Sequence, residues 1–121
     1  MAENHSGTVA VIDDDPDVLA SLKFLLEVTG HRVATYTSAA EFLRTQLRQP
    51  SCLILDHHMP QMTGLELAAQ LRTVGTNIPV LLITGSPSSA IFAQAAELGI
   101  EKVLEKPLDE DDLLNFVNAH R

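Results

Sequence analysis

A chain of 121 residues with 45% hydrophobic content has the length for one domain around a single core and is too short for two. Its 16 acidic against 8 basic residues give a formal net charge of −8. No window gathers Lys or Arg, which excludes direct nucleic-acid binding by this segment, because phosphate contacts need clustered cations.

Met1 to Thr8 is a short polar lead without the basic start or apolar centre of a signal peptide. It reads as a flexible N-terminal tail before one domain over residues 9–121. Val9 to Ile12 is the first short apolar run. Asp15 and Pro16 then offer an N-cap and a favoured first-turn proline, and Val18, Leu22, Leu25 and Leu26 repeat at helical spacing until Gly30. Arg32 to Tyr36 is the second strand, and "SAAE" from Ser38 to Glu41 has the form of a capping box opening the second helix. Cys52 to Leu55 is the third strand. Cys52, the single cysteine, reads as a small core residue; it excludes an internal disulfide and fits a reducing cytoplasm. "TGLE" from Thr63 to Glu66 is a second capping box, and Pro79 to Ile83 a fourth strand. Ser86 and Pro87 are expected to start the fourth helix, which carries Ile91, Ala95 and Leu98 before Gly99. Lys102 to Leu104 is the last strand, and Asp109 to Asp112 crowd the start of the last helix, where the helix dipole favours negative charge. No apolar stretch approaches the ~20 residues of a membrane span.

A strand followed by a helix, five times over, implies an α/β fold: a doubly wound, flavodoxin-like, five-stranded parallel sheet with five helices on its two faces. Strand runs that are apolar without alternation suit strands buried on both faces. In such sheets ligands bind beyond the carboxyl ends of the strands, near the point where strand order reverses. The residues leaving the strands are Asp13 and Asp14, Asp56, Thr84 and Lys106. If the first and third strands are neighbours, as in the order 2-1-3-4-5, three carboxylates converge.

Two like charges ~5 Å apart repel by about 3 kcal/mol at an effective dielectric near 20, so a cation is expected there. All-oxygen ligands with room for water and phosphate suit Mg²⁺. Asp14 and Asp56 would be direct ligands and Asp13 a direct or water-bridged one. The metal and Lys106 together would keep Asp56 ionised despite partial burial. An ionised carboxylate beside Mg²⁺, an ammonium and a hydroxyl is a phosphoryl-accepting site: Asp56 as nucleophile, Lys106 neutralising the transferred group, Thr84 donating to one of its oxygens. Taken singly, acids after strands are ordinary solvated loop residues; the joint pattern, one group per relevant strand, carries the functional reading.

At this point the chain resembles a two-component response-regulator receiver domain, from Val9 to about Val117. The residues that carry the likeness are "VIDDD" at 11–15, "LILDHHMPQMTGLEL" at 53–67, "LLITG" at 81–85 and "EKP" at 105–107. The resemblance implies a cytoplasmic phosphorelay switch that catalyses only its own phosphorylation and dephosphorylation. It implies Asp13 and Asp14 as the acidic metal pair, Asp56 as phosphorylation site, Thr84 as switch hydroxyl and Lys106 as the phosphoryl-pairing lysine. It adds the backbone carbonyl of His58 as a further Mg²⁺ ligand and a cis Lys106–Pro107 bond. The implied partners are a histidine kinase or phosphotransfer protein and a second copy, docking through the face of the fourth helix, fifth strand and fifth helix. "TSAAEFL" at 37–43 and "ITG" at 83–85 are similar to nitrogen-fixation-type regulators, which carry a C-terminal helix-turn-helix. No such domain lies within the 121 residues, so a single-domain regulator and an excised receiver both fit.

The chain departs from the family pattern at Val103, where an aromatic often stands, and at Leu108. His58 and Ser86 fall where side chains commonly tune dephosphorylation. His57 and His58 are expected to face solvent rather than to chelate a transition metal, because adjacent loop residues rarely do so without further ligands. Two other classes compete. A haloacid-dehalogenase-type phosphatase also uses a strand-end Asp, but wants a second acid two residues on, where this chain has His58. A receiver-like protein-binding module acting without phosphorylation is suggested by Val103.

Overall fold

The computed structural model describes residues 7–45 and 49–121. The elements alternate as β1 (Thr8–Ile12), α1 (Pro16–Val28), β2 (Arg32–Tyr36), α2 (Ala39–Thr45), β3 (Cys52–Asp56), α3 (Gly64–Thr73), β4 (Val80–Thr84), α4 (Ser89–Glu97), β5 (Lys102–Glu105) and α5 (Glu110–Ala119). All four strand pairings are parallel, in the order β2-β1-β3-β4-β5. The expected doubly wound sheet is therefore the observed one. Of the tail expected over residues 1–8, residues 1–6 lie outside the described residues, whereas Thr8 opens β1 and pairs with Arg32.

Position in the sheet accounts for the apolar patterning. Every residue of the inner strands β3 and β4 is buried, while the edge strands β2 and β5 are only partly so. Side chains alternate between two cores, as the two-residue period of a strand requires. Ala10, Ile12, Leu53, Leu55, Val80 and Leu82 face α2, α3 and α4 through Phe42, Leu67, Leu71 and Ala95. Val9, Val11, Cys52, Ile54, Leu81 and Ile83 face α1 and α5 through Leu22, Leu26, Phe116 and Val117. Cys52 is a core residue as expected, its thiol pushed up to about 12 by burial. No helix among the described residues is long and apolar enough to cross a membrane.

Helix starts follow the capping chemistry with two corrections. Asp15 caps α1, its carboxylate accepting from Asp17 N at 2.9 Å. Thr63 and Glu66 close a complete capping box at α3, at 3.2 and 2.9 Å. In "SAAE" only half the expected box forms as read: Ser38 Oγ accepts from Glu41 N at 3.0 Å, but Glu41 reaches one residue further back, to Thr37 N at 2.7 Å and Thr37 Oγ1 at 3.0 Å. The fourth helix starts later than Ser86 and Pro87, at an N-cap on Ser88 whose hydroxyl accepts from Ile91 N. The cause is local: Ser86 N donates to Thr84 Oγ1 at 3.1 Å, which ties that residue to the strand end instead of the helix.

Gly64, the first residue of α3, lies against the end of β3. A Cβ there would meet the Asp56 carbonyl oxygen and Leu82 Cδ1, each at 2.7 Å, and the His57 Cα at 3.0 Å. Two of these neighbours are backbone and cannot yield without moving the strand that carries Asp56. Gly64→Ala is expected to cost about 1–3 kcal/mol, the usual penalty of overpacking, read as a lower urea midpoint at unchanged slope.

Candidate functional site

The carboxyl ends of β1, β3, β4 and β5 share one edge of the sheet, because parallel pairing aligns them: Ile12 with Leu55, Asp56 with Ile83, Thr84 with Glu105. Asp13 follows β1 and is buried; its backbone N donates to Tyr36 O at 3.1 Å, and its Oδ1 accepts from Asp15 N at 2.9 Å. Asp14 is exposed beside it. Asp56 ends β3 with 1% of its surface accessible, and Thr84 ends β4 fully buried. One carboxylate oxygen from each of Asp13, Asp14 and Asp56 lies within 4.8 Å of the others. The convergence expected from strand order is thus present in space.

Lys106 comes from the loop after β5 and places Nζ 3.1 Å from Asp56 Oδ1. The two form an ion pair, and among the described residues neither Asp56 Oδ1 nor Asp13 Oδ2, both buried, is assigned a hydrogen-bond partner. The Lys106–Pro107 peptide bond is cis.

The electrostatics follow from this crowding. Burial raises the Asp13 carboxyl above the usual carboxylate range; the Asp15 N–H opposes that shift and the Asp56 charge adds to it. Burial disfavours the Lys106 ammonium, but its contact with Asp56 and the charges of Asp13 and Asp14 outweigh the penalty and hold it above the ordinary lysine range. Asp13 and Asp56, both out of water at under 5 Å, repel by about 3 kcal/mol at an effective dielectric near 20. One lysine against three acids leaves net negative charge. Two orphaned carboxylate oxygens with an exposed third carboxylate are an all-oxygen donor set open to solvent on one side, which fits a small hard dication that keeps several waters. The His58 carbonyl, two residues after Asp56, receives no backbone hydrogen bond among the described residues.

The histidine pair departs from expectation. His57 is half-buried, its Nδ1 3.4 Å from Leu65 N, and burial first, then His58, lowers it below the ordinary histidine range against the pull of Asp56 and Glu66. His58 is exposed as a residue, yet its Nε2 lies 2.8 Å from Thr84 Oγ1. The two rings stand edge to face at 5.0 Å. Nothing in the local sequence marks His58 as a partner of Thr84, 26 residues away; only adjacency of β3 and β4 joins them. Val103 packs on the core shared with α3 and α4, in the place where an aromatic was the expected family feature.

Comparison with known proteins agrees with this geometry. Residues 9–118 match the family model of the response regulator receiver domain. The transcriptional regulatory protein FixJ of Azorhizobium caulinodans is 39% identical over 112 residues, covering 92% of this chain and 53% of its own. The response regulator protein TodT of Pseudomonas putida is 33% identical over 117 residues, covering 96% and 52%. The chain therefore spans about half the length of the curated relatives it matches. Among solved structures, a response regulator receiver domain protein from Clostridium thermocellum superposes with a TM-score of 0.86 at 28% identity, over 95% of this chain and 94% of that one. Fold, strand-end acids and matched span agree, and the chain belongs to the response regulator receiver domain family.

Proposed function

We propose that residues 9–121 form one functional unit, a Mg²⁺-dependent phosphoacceptor switch of a two-component phosphorelay, working in the cytoplasm with Asp56 as acceptor. The observation that carries this reading is the setting of Asp56: buried, 3.1 Å from Lys106 Nζ, and within 4.8 Å of Asp13 and Asp14 oxygens. Asp13, Asp14, Asp56 and the His58 carbonyl would hold the ion. When bound, Mg²⁺ supplies charge neutralisation at the acidic cluster and at the incoming phosphoryl group.

A carboxylate oxygen of Asp56 attacks the phosphorus of a donor, a phosphohistidine or a small acyl phosphate. The new O–P bond forms as the bond to the leaving group breaks, and that group departs with the electron pair. Lys106 moves its ion pair from the carboxylate to the phosphoryl oxygens, and the Thr84 hydroxyl donates to another. Hydrolysis of the acyl phosphate returns the resting state, with no separate substrate turned over. A haloacid-dehalogenase-type phosphatase is disfavoured, because the position of its second acid is His58, whose imidazole is engaged on Thr84.

Phosphorylation adds up to about two negative charges at Asp56. Two charge-assisted contacts, to Lys106 and Thr84, are each worth about 1.5–3 kcal/mol, roughly 3–6 gross, before the resting contacts of Lys106 with Asp56 and of Thr84 with His58 that they replace. Moving a two-state equilibrium from 1:99 to 99:1 takes about 5.5 kcal/mol. The gross supply only just reaches the demand, so the cost of the contacts given up decides how far the switch goes. The element that moves is Thr84 with the loop from Gly85 to Ser88, and the readout face is α4, β5 and α5, where a partner or second copy docks. Val103 offers no aromatic ring to swing inward, so the loop itself carries the signal.

Acetyl phosphate with Mg²⁺ is expected to add one phosphoryl mass to the chain and none to Asp56→Asn; equal labelling of that variant would place the acceptor elsewhere. EDTA should abolish labelling, and Lys106→Ala should slow it at least ~10-fold, as loss of a single charge-stabilising donor does.

The raised Asp13 carboxyl gives a stability prediction. Its proton is held more tightly folded than unfolded, so the metal-free protein loses stability as pH rises from the ordinary carboxylate range through the raised one. Asp13→Asn should remove that slope and raise metal-free stability by about 1–3 kcal/mol. Mg²⁺ should raise Tm of the wild type but not of this variant.

A further inference from the structure

The contact between His58 and Thr84 has a consequence for switching. Thr84 is fully buried at the end of β4, and its Oγ1 already accepts the Ser86 N–H at 3.1 Å. A second hydrogen-bonding direction is taken by His58 Nε2 at 2.8 Å. His57, packed edge to face on His58 and engaged at Leu65 N, backs the ring from behind.

A threonine hydroxyl carries one proton and two lone pairs. If His58 is protonated on Nδ1, its Nε2 accepts that only proton. If it is protonated on Nε2, the ring donates to the oxygen and fixes its place. With Nδ1 protonated, bringing Thr84 onto a phosphoryl oxygen first gives up the hydrogen bond that its proton makes to the β3–α3 loop; with Nε2 protonated, the proton stays free and the ring restrains only where the oxygen sits. We propose that His58 is a clamp on the switch: its imidazole holds the Thr84 hydroxyl, and through Ser86 N the loop before α4, in the resting position, and so sets the threshold that a phosphoryl group at Asp56 must exceed. The inference rests on the phosphoacceptor reading and adds to it a positioning residue that acts through Thr84 rather than on the reacting atoms. With a supply only just sufficient for full switching, one ordinary hydrogen bond decides how completely the domain responds.

Beryllofluoride, a phosphoryl mimic, can be titrated with Mg²⁺ into the full chain, with the Gly85 and Ser86 amide resonances as the readout. His58→Ala is expected to lower the midpoint about 3- to 10-fold, the range of one net hydrogen bond. His58→Gln, which keeps a polar end, should lie closer to wild type. In a Thr84→Ala background, His58→Ala should change nothing further. An unchanged or raised midpoint in His58→Ala, or the same shift with Thr84 removed, would overturn the clamp. A second measurement uses no mimic: the imidazole nitrogen shifts of His58 should move on Thr84→Ala, and unmoved shifts overturn the clamp alone. Failure of the wild type to bind beryllofluoride at all would instead defeat the acceptor reading, and the threshold with it.

Discussion

Asp13 and Asp56 are each almost wholly removed from water, yet their oxygens sit within 4.8 Å of one another with Asp14 beside them. Burial and mutual repulsion both oppose that arrangement, and a single lysine offsets only part of it. The fold has to hold the carboxylates together against their own field. It does so with backbone: each acid stands at or just past the last residue of an inner strand, and the ladder β1–β3–β4 fixes their spacing. The proposed metal site and phosphoryl chemistry both rest on that enforced proximity, which also accounts for the lysine's position.

The rest of the architecture serves the same edge. Five parallel strands point their carboxyl ends one way, so the site groups are delivered by the ends of four of them, β1, β3, β4 and β5, instead of one long loop. The two cores on either face of the sheet bury β3 and β4 completely and β1 from Val9 onward, and leave little freedom for sliding. Gly64 lets α3 begin directly against the Asp56 carbonyl, which keeps the loop carrying His57 and His58 close to Asp56. By contrast α4 buries only Ala95 fully, and its start waits on Thr84 and Ser86. The closely packed part of the domain holds the acid, and the lightly packed part is where the proposed readout lies.

Thr84 is the junction between these parts. Its oxygen accepts from Ser86 N, and its one proton is sought both by the proposed phosphoryl contact and, when His58 is protonated on Nδ1, by His58 Nε2. Competition for one donor is a compact way to set a threshold, because each competing bond is worth about as much as the margin by which switching succeeds. Residue identity at position 58 therefore bears on the response even though its side chain need not touch the phosphorus.

Much of this was legible in the residues. Alternating two-residue and 3.6-residue periods gave the element order, since burying one face of a strand or helix imposes that spacing, and Asp13, Asp14, Asp56, Thr84 and Lys106 were recognisable because polar groups ended apolar runs. Side-chain direction was not legible. The start of α4 slid to Ser88 because Ser86 N had a nearer partner, Glu41 reached past Ser38 to Thr37, and His58, exposed as expected, also reached Thr84 with its ring nitrogen. In each case groups competed for the same donor or acceptor, and the winner depended on distances set by neighbouring strands and loops. Periodicity is a property of the chain and survives without a fold; hydrogen-bond partnership across 26 residues exists only once β3 and β4 lie side by side.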